Sequence, residues 1–191
     1  VSRLGDPAIA GVALTESLLT IVYTAAMGLS IGVTAMVSRR MGEGDPDAAA
    51  RATVQAVLFG SLLALVLGVA GVLGAESLLR LMGADDATVS ASLGYTRLLL
   101  GANAVIVLLF LQNAAFRGAG DAAVAMRVLW LANGLNIVLD PCLIFGLGPF
   151  PELGLTGAAV DTTIGRGTAV VVQLYNLLRL GRRPLVAARP V

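Results

Sequence analysis

Residues 52–75 read ATVQAVLFGSLLALVLGVAGVLGA, and no charged side chain interrupts this run. As an α-helix the run is about 35 Å long, at roughly 1.5 Å per residue. About 20 mostly apolar residues are enough for a helix to cross the hydrocarbon of a bilayer. The strands of membrane β-barrels are shorter, about ten residues, and alternate in polarity. The run therefore predicts a membrane-spanning helix.

Four further apolar runs lie on either side of this one. They cover residues 8–37, 98–116, 128–150 and 153–178. The connections between them are short, except for residues 76–97, where we expect a short helix at the membrane surface. The sequence therefore predicts an all-α fold, a polytopic membrane helix bundle with about five transmembrane helices.

The composition agrees with a chain whose solvent is lipid. Hydrophobic residues make up 57% of the 191 residues and charged residues only 13%, whereas soluble domains carry roughly 25% charged residues. The net charge is +1 and the arginines are scattered, so we expect no nucleic-acid partner. The chain has no histidine and a single cysteine, Cys142, which leaves no Ser–His or Cys–His pair for catalysis. We therefore expect a protein that is not an enzyme and holds no cofactor.

The connections at residues 42–45 and 118–121 share the pattern Gly-x-Gly-Asp. Glycine commonly ends a helix, and aspartate commonly caps the next one. Pro46 follows the first of these aspartates, at a helical position that tolerates proline. No Lys-Ser/Thr pair follows either pattern, so a phosphate-binding loop is disfavoured. Both connections are therefore interpreted as helix ends.

Arginines are concentrated on one side of the predicted bundle. With five crossings, one side carries nine of them: Arg39, Arg40, Arg51, Arg117, Arg127, Arg179, Arg182, Arg183 and Arg189. The other side carries three: Arg3, Arg80 and Arg97. Because positive residues are enriched in cytoplasmic loops, the Gly-x-Gly-Asp connections should face the cytoplasm and the N-terminus the outside. The chain has neither a starting methionine nor a signal-peptide pattern, so we expect a further helix upstream.

Asp140 is the strongest candidate for a functional residue, because acidic side chains inside membrane spans are costly and usually functional. Asn133, Asn136 and Asp140 fall on one face of a helix. Their oxygens would suit a hard cation, and the carboxylate would equally hold a proton. The alternative is that Asp140 caps a helix break near the outer interface, beside Pro141.

Three other charged residues lie within the predicted spans. Asp161 and Arg166 share the last run, but they are five residues apart, so partners on other helices are favoured over a direct pair. A structural role is favoured for Arg166, whereas structural and transport roles are equally open for Asp161. Glu16 is expected near the outer interface, with its carboxylate extended to the headgroups.

Several stretches resemble the multidrug and toxic compound extrusion (MATE) transporters. These are RLGDPAIAGVAL, GLSIGVTAMVSRRMGEGD, FRGAGD, NIVLDPCLIFG and LGLTGAAVDTTIGR, in this order along the chain. The resemblance implies the second to sixth helices of a six-helix lobe, with residues 1–183 as a partial N-terminal lobe and 184–191 as the start of a cytoplasmic linker. A first helix and a second lobe would then be missing. It also implies a multi-pass protein of the bacterial inner (plasma) membrane, in contact with lipid.

The family's N-lobe cation site implies roles for Asn136, Asp140 and Thr162. These residues would bind the coupling ion, H⁺ or Na⁺, and would be metal ligands in the case of Na⁺. A further aspartate of the family site lies on the missing first helix. Asp161 stands where the family usually has a small residue, commonly alanine, so the ion preference stays open.

The function implied is a cation-coupled antiporter that exports amphipathic, often cationic, drug-like compounds, with this chain as half of the transporter. One alternative is a flippase for lipid-linked oligosaccharides from the same superfamily. Such proteins usually need cationic residues in the cavity, whereas Arg166 is the one arginine within a predicted span. The other alternative is a truncated membrane fragment that transports nothing.

Overall fold

The computed structural model describes residues 6–146 and 153–180, with side chains described as far as residue 178. Within these ranges the chain forms six α-helices and no strand. They are α1 (Asp6–Gly42), α2 (Pro46–Leu81), α3 (Asp86–Gly101), α4 (Asn103–Gly118), α5 (Ala122–Phe145) and α6 (Gly154–Leu180). The all-α prediction is confirmed. The predicted linker at 184–191 and part of the run 128–150 lie outside the described residues.

Four helical segments are long and apolar enough to cross a membrane. They are α1, α2, the α3–α4 unit Asp86–Gly118, and α5. Helix α6, with 27 residues, is long enough for a fifth crossing at about 1.5 Å per residue, but it is more polar than the others. Both Asp161 and Arg166 lie on it.

The third crossing begins earlier than the sequence predicted. It starts at Asp86 rather than residue 98, and residues 86–97 belong to α3, which joins α4 in one candidate span instead of forming a short helix at the membrane surface. The hydroxyls of Ser92 and Thr96 donate to the carbonyls of Thr88 and Ser92, at 2.7 and 2.9 Å. Because these hydroxyls are satisfied by their own helix, a segment that reads as polar continues into the bundle.

Three helix ends share one geometry. Gly44, Gly83 and Gly120 follow α1, α2 and α4 with φ of 76°, 92° and 84°, a left-handed conformation that glycine adopts without strain. The residue after each glycine donates its N–H to a carbonyl five positions back, for example Asp45 to Arg40 at 3.0 Å. These caps turn the chain within a few residues, so consecutive long helices run antiparallel.

The two predicted aspartate caps differ. Asp45 accepts a hydrogen bond from the N–H of Ala48 at 2.8 Å, and Pro46 is the first residue of α2. Asp121 occupies the same position before α5 but makes no side-chain cap bond. The predicted glycine helix end and aspartate cap are therefore both confirmed at residues 42–45. At residues 118–121 only the glycine helix end is confirmed.

Helix α1 lies at the centre of the packing, against α2, α3 and α4, while α5 packs mainly on α6. The core between α1 and α4 contains fully buried Leu19, Ala26 and Leu111. The outward face of α2 is apolar throughout: Leu58, Leu62, Leu65, Val69 and Leu73 are more than half exposed. Such a face suits lipid.

Candidate ion-binding site

Two glycines set the register between α5 and α6. A Cβ added at Gly165 would overlap the amide oxygen of Asn136, and one added at Gly157 would overlap the carbonyl of Leu143. Small residues at such contacts let helix backbones approach closely in membranes. The segment 136–143 of α5 therefore lies directly against residues 157–165 of α6, in antiparallel order.

Asp161 lies midway between the two glycines, one helical turn from each. Its side chain is completely buried, and it lies opposite the segment of α5 that carries Asp140, close enough for the two carboxyls to interact electrostatically. The hydroxyl of Thr162 donates to Asp161 Oδ1 at 3.3 Å. The two acids that the sequence placed on separate helices thus meet at the α5–α6 contact.

Several oxygens of this site lack a hydrogen-bond donor. Asp161 Oδ2 and Asn136 Oδ1 are both buried and unpartnered. Among the described residues, the ion pairs all involve Glu43, Glu76 or Asp86 near helix ends, and no basic side chain pairs with Asp140 or Asp161. A cluster of carboxylate, amide and hydroxyl oxygens, in which the Thr162 hydroxyl donates to Asp161, is suited to a hard cation or a proton.

Asn136 and Asp140 lie on the segment of α5 that packs against α6, and the Thr162 hydroxyl contacts Asp161 on α6. The side chain of Asn133, by contrast, is exposed. Asp140 does not cap a helix break, because α5 continues through Pro141 as far as Phe145. That alternative interpretation of Asp140 is therefore wrong.

The remaining charged candidates lie elsewhere in the bundle. The Arg166 guanidinium lies over the ring of Tyr23 on α1, 5.7 Å from its centroid. The exposed carboxylate of Glu16 accepts a hydrogen bond from the Tyr95 hydroxyl at 3.5 Å, a long and weak contact. No ion pair joins Arg166 to Asp161 in the described part of the chain, as the five-residue spacing predicted.

Sequence reasoning missed a second polar contact on the same face of α6. The fully buried Gln173 donates through Nε2 to Asn113 Oδ1 on α4 at 2.6 Å. The buried face of α6 repeats every four residues: Gly157, Asp161, Gly165, Ala169 and Gln173. This spacing is visible in the sequence and would have predicted which face of α6 is buried.

A cavity of about 480 Å³ lies away from the acidic pair, near the ends of α1, α2, α4 and α6. Its walls are almost entirely apolar and include Met41, Phe116 and Leu178. Because it offers few polar groups, it does not extend the ion-binding site. It does show that the two Gly-x-Gly-Asp connections and the end of α6 lie at the same end of the bundle.

Apolar helices of membrane-spanning length, packed around buried carboxylates, are typical of membrane transporters. Residues 1–142 match the family description MatE. The chain belongs to the MATE family, which confirms the resemblance drawn from the sequence.

Two curated relatives and one solved structure illustrate the similarity. The chain is 31% identical to a FAD transporter of Shewanella oneidensis, over 93% of this chain and 39% of that protein. It is 30% identical to the probable multidrug resistance protein YoeA of Bacillus subtilis, over 95% of this chain and 39% of that protein. A crystal structure of MATE in the bent conformation superposes on the chain with a TM-score of 0.88 at 32% sequence identity. The match covers 97% of this chain and 40% of that structure's chain. The chain thus spans about two fifths of the length of these relatives.

Proposed function

We propose that this chain forms the N-terminal lobe of a cation-coupled antiporter of the plasma membrane that exports amphipathic, often cationic, compounds. The observation that carries the proposal is the position of buried Asp161 and its neighbour Thr162 on α6, against the segment of α5 that carries Asn136 and Asp140. Membership of the MATE family supports it. The Gly-x-Gly-Asp connections would face the cytoplasm, in line with the distribution of the arginines.

The coupling would arise from the charge of the acidic pair. An empty site leaves carboxylates in a low-dielectric interior without a donor, which is costly. A bound cation neutralises them and changes which packing of the lobe is favoured. An ion can drive transport only if its affinity differs between the outward-facing and inward-facing states. When the coupling ion enters from the side where its concentration is high, the substrate would then be carried across the membrane in the opposite direction.

Each residue of the site has a separate role in this proposal. Asp140 binds the coupling ion, H⁺ or Na⁺, and Asn136 and Thr162 supply neutral oxygens. If the ion is Na⁺, all three are metal ligands. Gly165 touches no ion but holds the Asn136 amide in place, because its missing side chain leaves room for the amide oxygen.

The test is dye efflux from proteoliposomes that contain the full-length gene product. A fluorescent cationic dye is loaded, and an H⁺ or a Na⁺ gradient is imposed in separate experiments. Asp140→Asn should reduce gradient-driven efflux at least tenfold while the protein stays folded. Asp47→Asn makes the same chemical change at an exposed position in the first turn of α2, and it should leave efflux unchanged.

Undiminished efflux by the Asp140→Asn protein would rule out this residue as the coupling site. If the intact protein is correctly inserted but exports nothing under either gradient, the antiporter proposal itself fails. The result with each gradient also identifies the ion.

The substrate class is tested in the same vesicles by replacing the dye with FAD. One relative is a FAD transporter and another a probable multidrug resistance protein, so dye and flavin nucleotide are the two informative probes. The flippase alternative gains nothing from the geometry, since the Arg166 guanidinium lies against Tyr23 rather than beside the acidic pair.

A further inference from the structure

We infer that Asp161 is a second ion-binding carboxylate, so that the α5–α6 site takes up two monovalent cations in each transport cycle. The inference rests on the proposed function and deepens it.

The position of Asp161 is the first argument. The glycines on either side of it let α6 approach α5 closely, so Asp161 lies on the face of α6 that meets the segment carrying Asp140. The side chain is 0% exposed, and neither water nor lipid headgroups can reach it. A buried carboxylate with a purely structural role is normally surrounded by donors.

Asp161 lacks such donors. Thr162 donates to Oδ1 at 3.3 Å, a long contact, and Oδ2 has no partner. The group facing it is another carboxyl, so two acceptors meet with no donor between them. Cations bound between or beside the oxygens would satisfy both acidic groups.

The number of charges is the second argument. In their ionised forms the two carboxyls would carry two negative charges, and no described basic side chain pairs with either of them. Arg166, the nearest arginine along α6, is directed to Tyr23. One monovalent cation would leave a net negative charge inside the bundle, at a cost of several kcal/mol. Two monovalent cations leave the loaded site neutral.

Coupling stoichiometry distinguishes two cations from one. The full-length gene product is reconstituted, the membrane potential is clamped at zero, and a tenfold gradient of the coupling ion is imposed. Net substrate flux stops when the substrate ratio equals the ion ratio raised to the number of coupled ions. The unmodified protein should reach zero flux at a substrate ratio of about 100, and Asp161→Ala at about 10.

Two further variants make the result decisive. Asp161→Asn keeps the size of the side chain and should also give a ratio of about 10. Asp47→Asn should keep a ratio of about 100. Thermal unfolding of each protein identifies any variant whose lower ratio comes from misfolding.

A ratio near 10 in the unmodified protein would overturn the inference, and so would a ratio near 100 in a folded Asp161→Ala protein. Neither result would contradict the proposed function, because that proposal is tested by the efflux of the Asp140→Asn protein. If Asp140→Asn still supports gradient-driven efflux, the proposed function fails whatever the ratio is.

Discussion

Helices α2 and α6 both contain glycines at close contacts, but the contacts differ in kind. On α2, Gly60 faces the side-chain methyl of Leu111 and Gly71 faces the side chain of Leu100. On α6, Gly157 faces a backbone carbonyl and Gly165 a buried amide oxygen. The first pair admits flexible apolar side chains, whereas the second pair admits polar groups fixed by another helix.

The two helices also differ in what they turn outward and inward. The exposed face of α2 is entirely leucine, valine and phenylalanine near its middle, while the buried face of α6 carries an aspartate and a glutamine. In lipid the apolar surface faces outward, so polar side chains are free to lie inside. The apolar helix therefore presents a surface suited to lipid, and the more polar helix contributes buried polar groups to the candidate site.

The largest effect is expected from a charge on the outer face of α2. Leu65 is 62% exposed near the middle of the helix. Leu65→Arg should cost about 3 kcal/mol of insertion free energy, because arginine is disfavoured at the centre of a span. Gln55→Arg is the matched control near the helix end, where the side chain can reach the headgroups.

Protease protection of the two loops that flank α2 measures the fraction of inserted chains. Equal insertion of the Leu65→Arg and Gln55→Arg proteins would mean that this face of α2 is not in contact with lipid. The contrast between α2 and α6 would then lose its basis.

A smaller effect is expected from adding one methyl group to each helix. Gly157→Ala should destabilise the protein by about 1–3 kcal/mol, because the carbonyl of Leu143 cannot move aside. Gly60→Ala should cost less than about 1 kcal/mol, since Leu111 can change rotamer and alanine favours a helix. Thermal unfolding in detergent compares the two variants. Equal losses would show that the two kinds of glycine contact are equivalent.

The smallest effect concerns the aspartates that begin α2 and α5. Asp45→Ala removes a cap hydrogen bond of 2.8 Å and should cost about 1 kcal/mol. Asp121→Ala removes no cap bond and should be close to neutral. Hydrogen exchange at the first turn of each helix reports the difference, and an increase on Asp121→Ala as large as that on Asp45→Ala would contradict it.

The sequence predicted the helices where apolar runs were long and free of charge, as in α2. It placed the start of the third crossing at residue 98, after Arg97, whereas the helix begins at Asp86 and contains Ser92 and Thr96, whose hydroxyls bond to carbonyls one turn earlier. Hydropathy registers the kind of side chain but not whether its hydroxyl is already satisfied.

The candidate site was predictable only within each helix. Asn136 and Asp140 share a face of α5 because their spacing is four residues, and periodicity alone gives that result. That Asp161 meets Asp140 depends on the register between two helices. The register is set by Gly157 and Gly165, whose role becomes visible only when the facing carbonyl and amide are known.

The absence of a side chain at Gly165 has a consequence for genetic screens. If every residue were replaced in turn and cells were scored for drug survival, we expect Gly165 to be as intolerant as Asp140. A position with no functional group would then rank as essential, because any larger residue displaces the Asn136 amide. A parallel screen for protein abundance would separate the two positions, since replacing Asp140 by asparagine should spare abundance and replacing Gly165 should not.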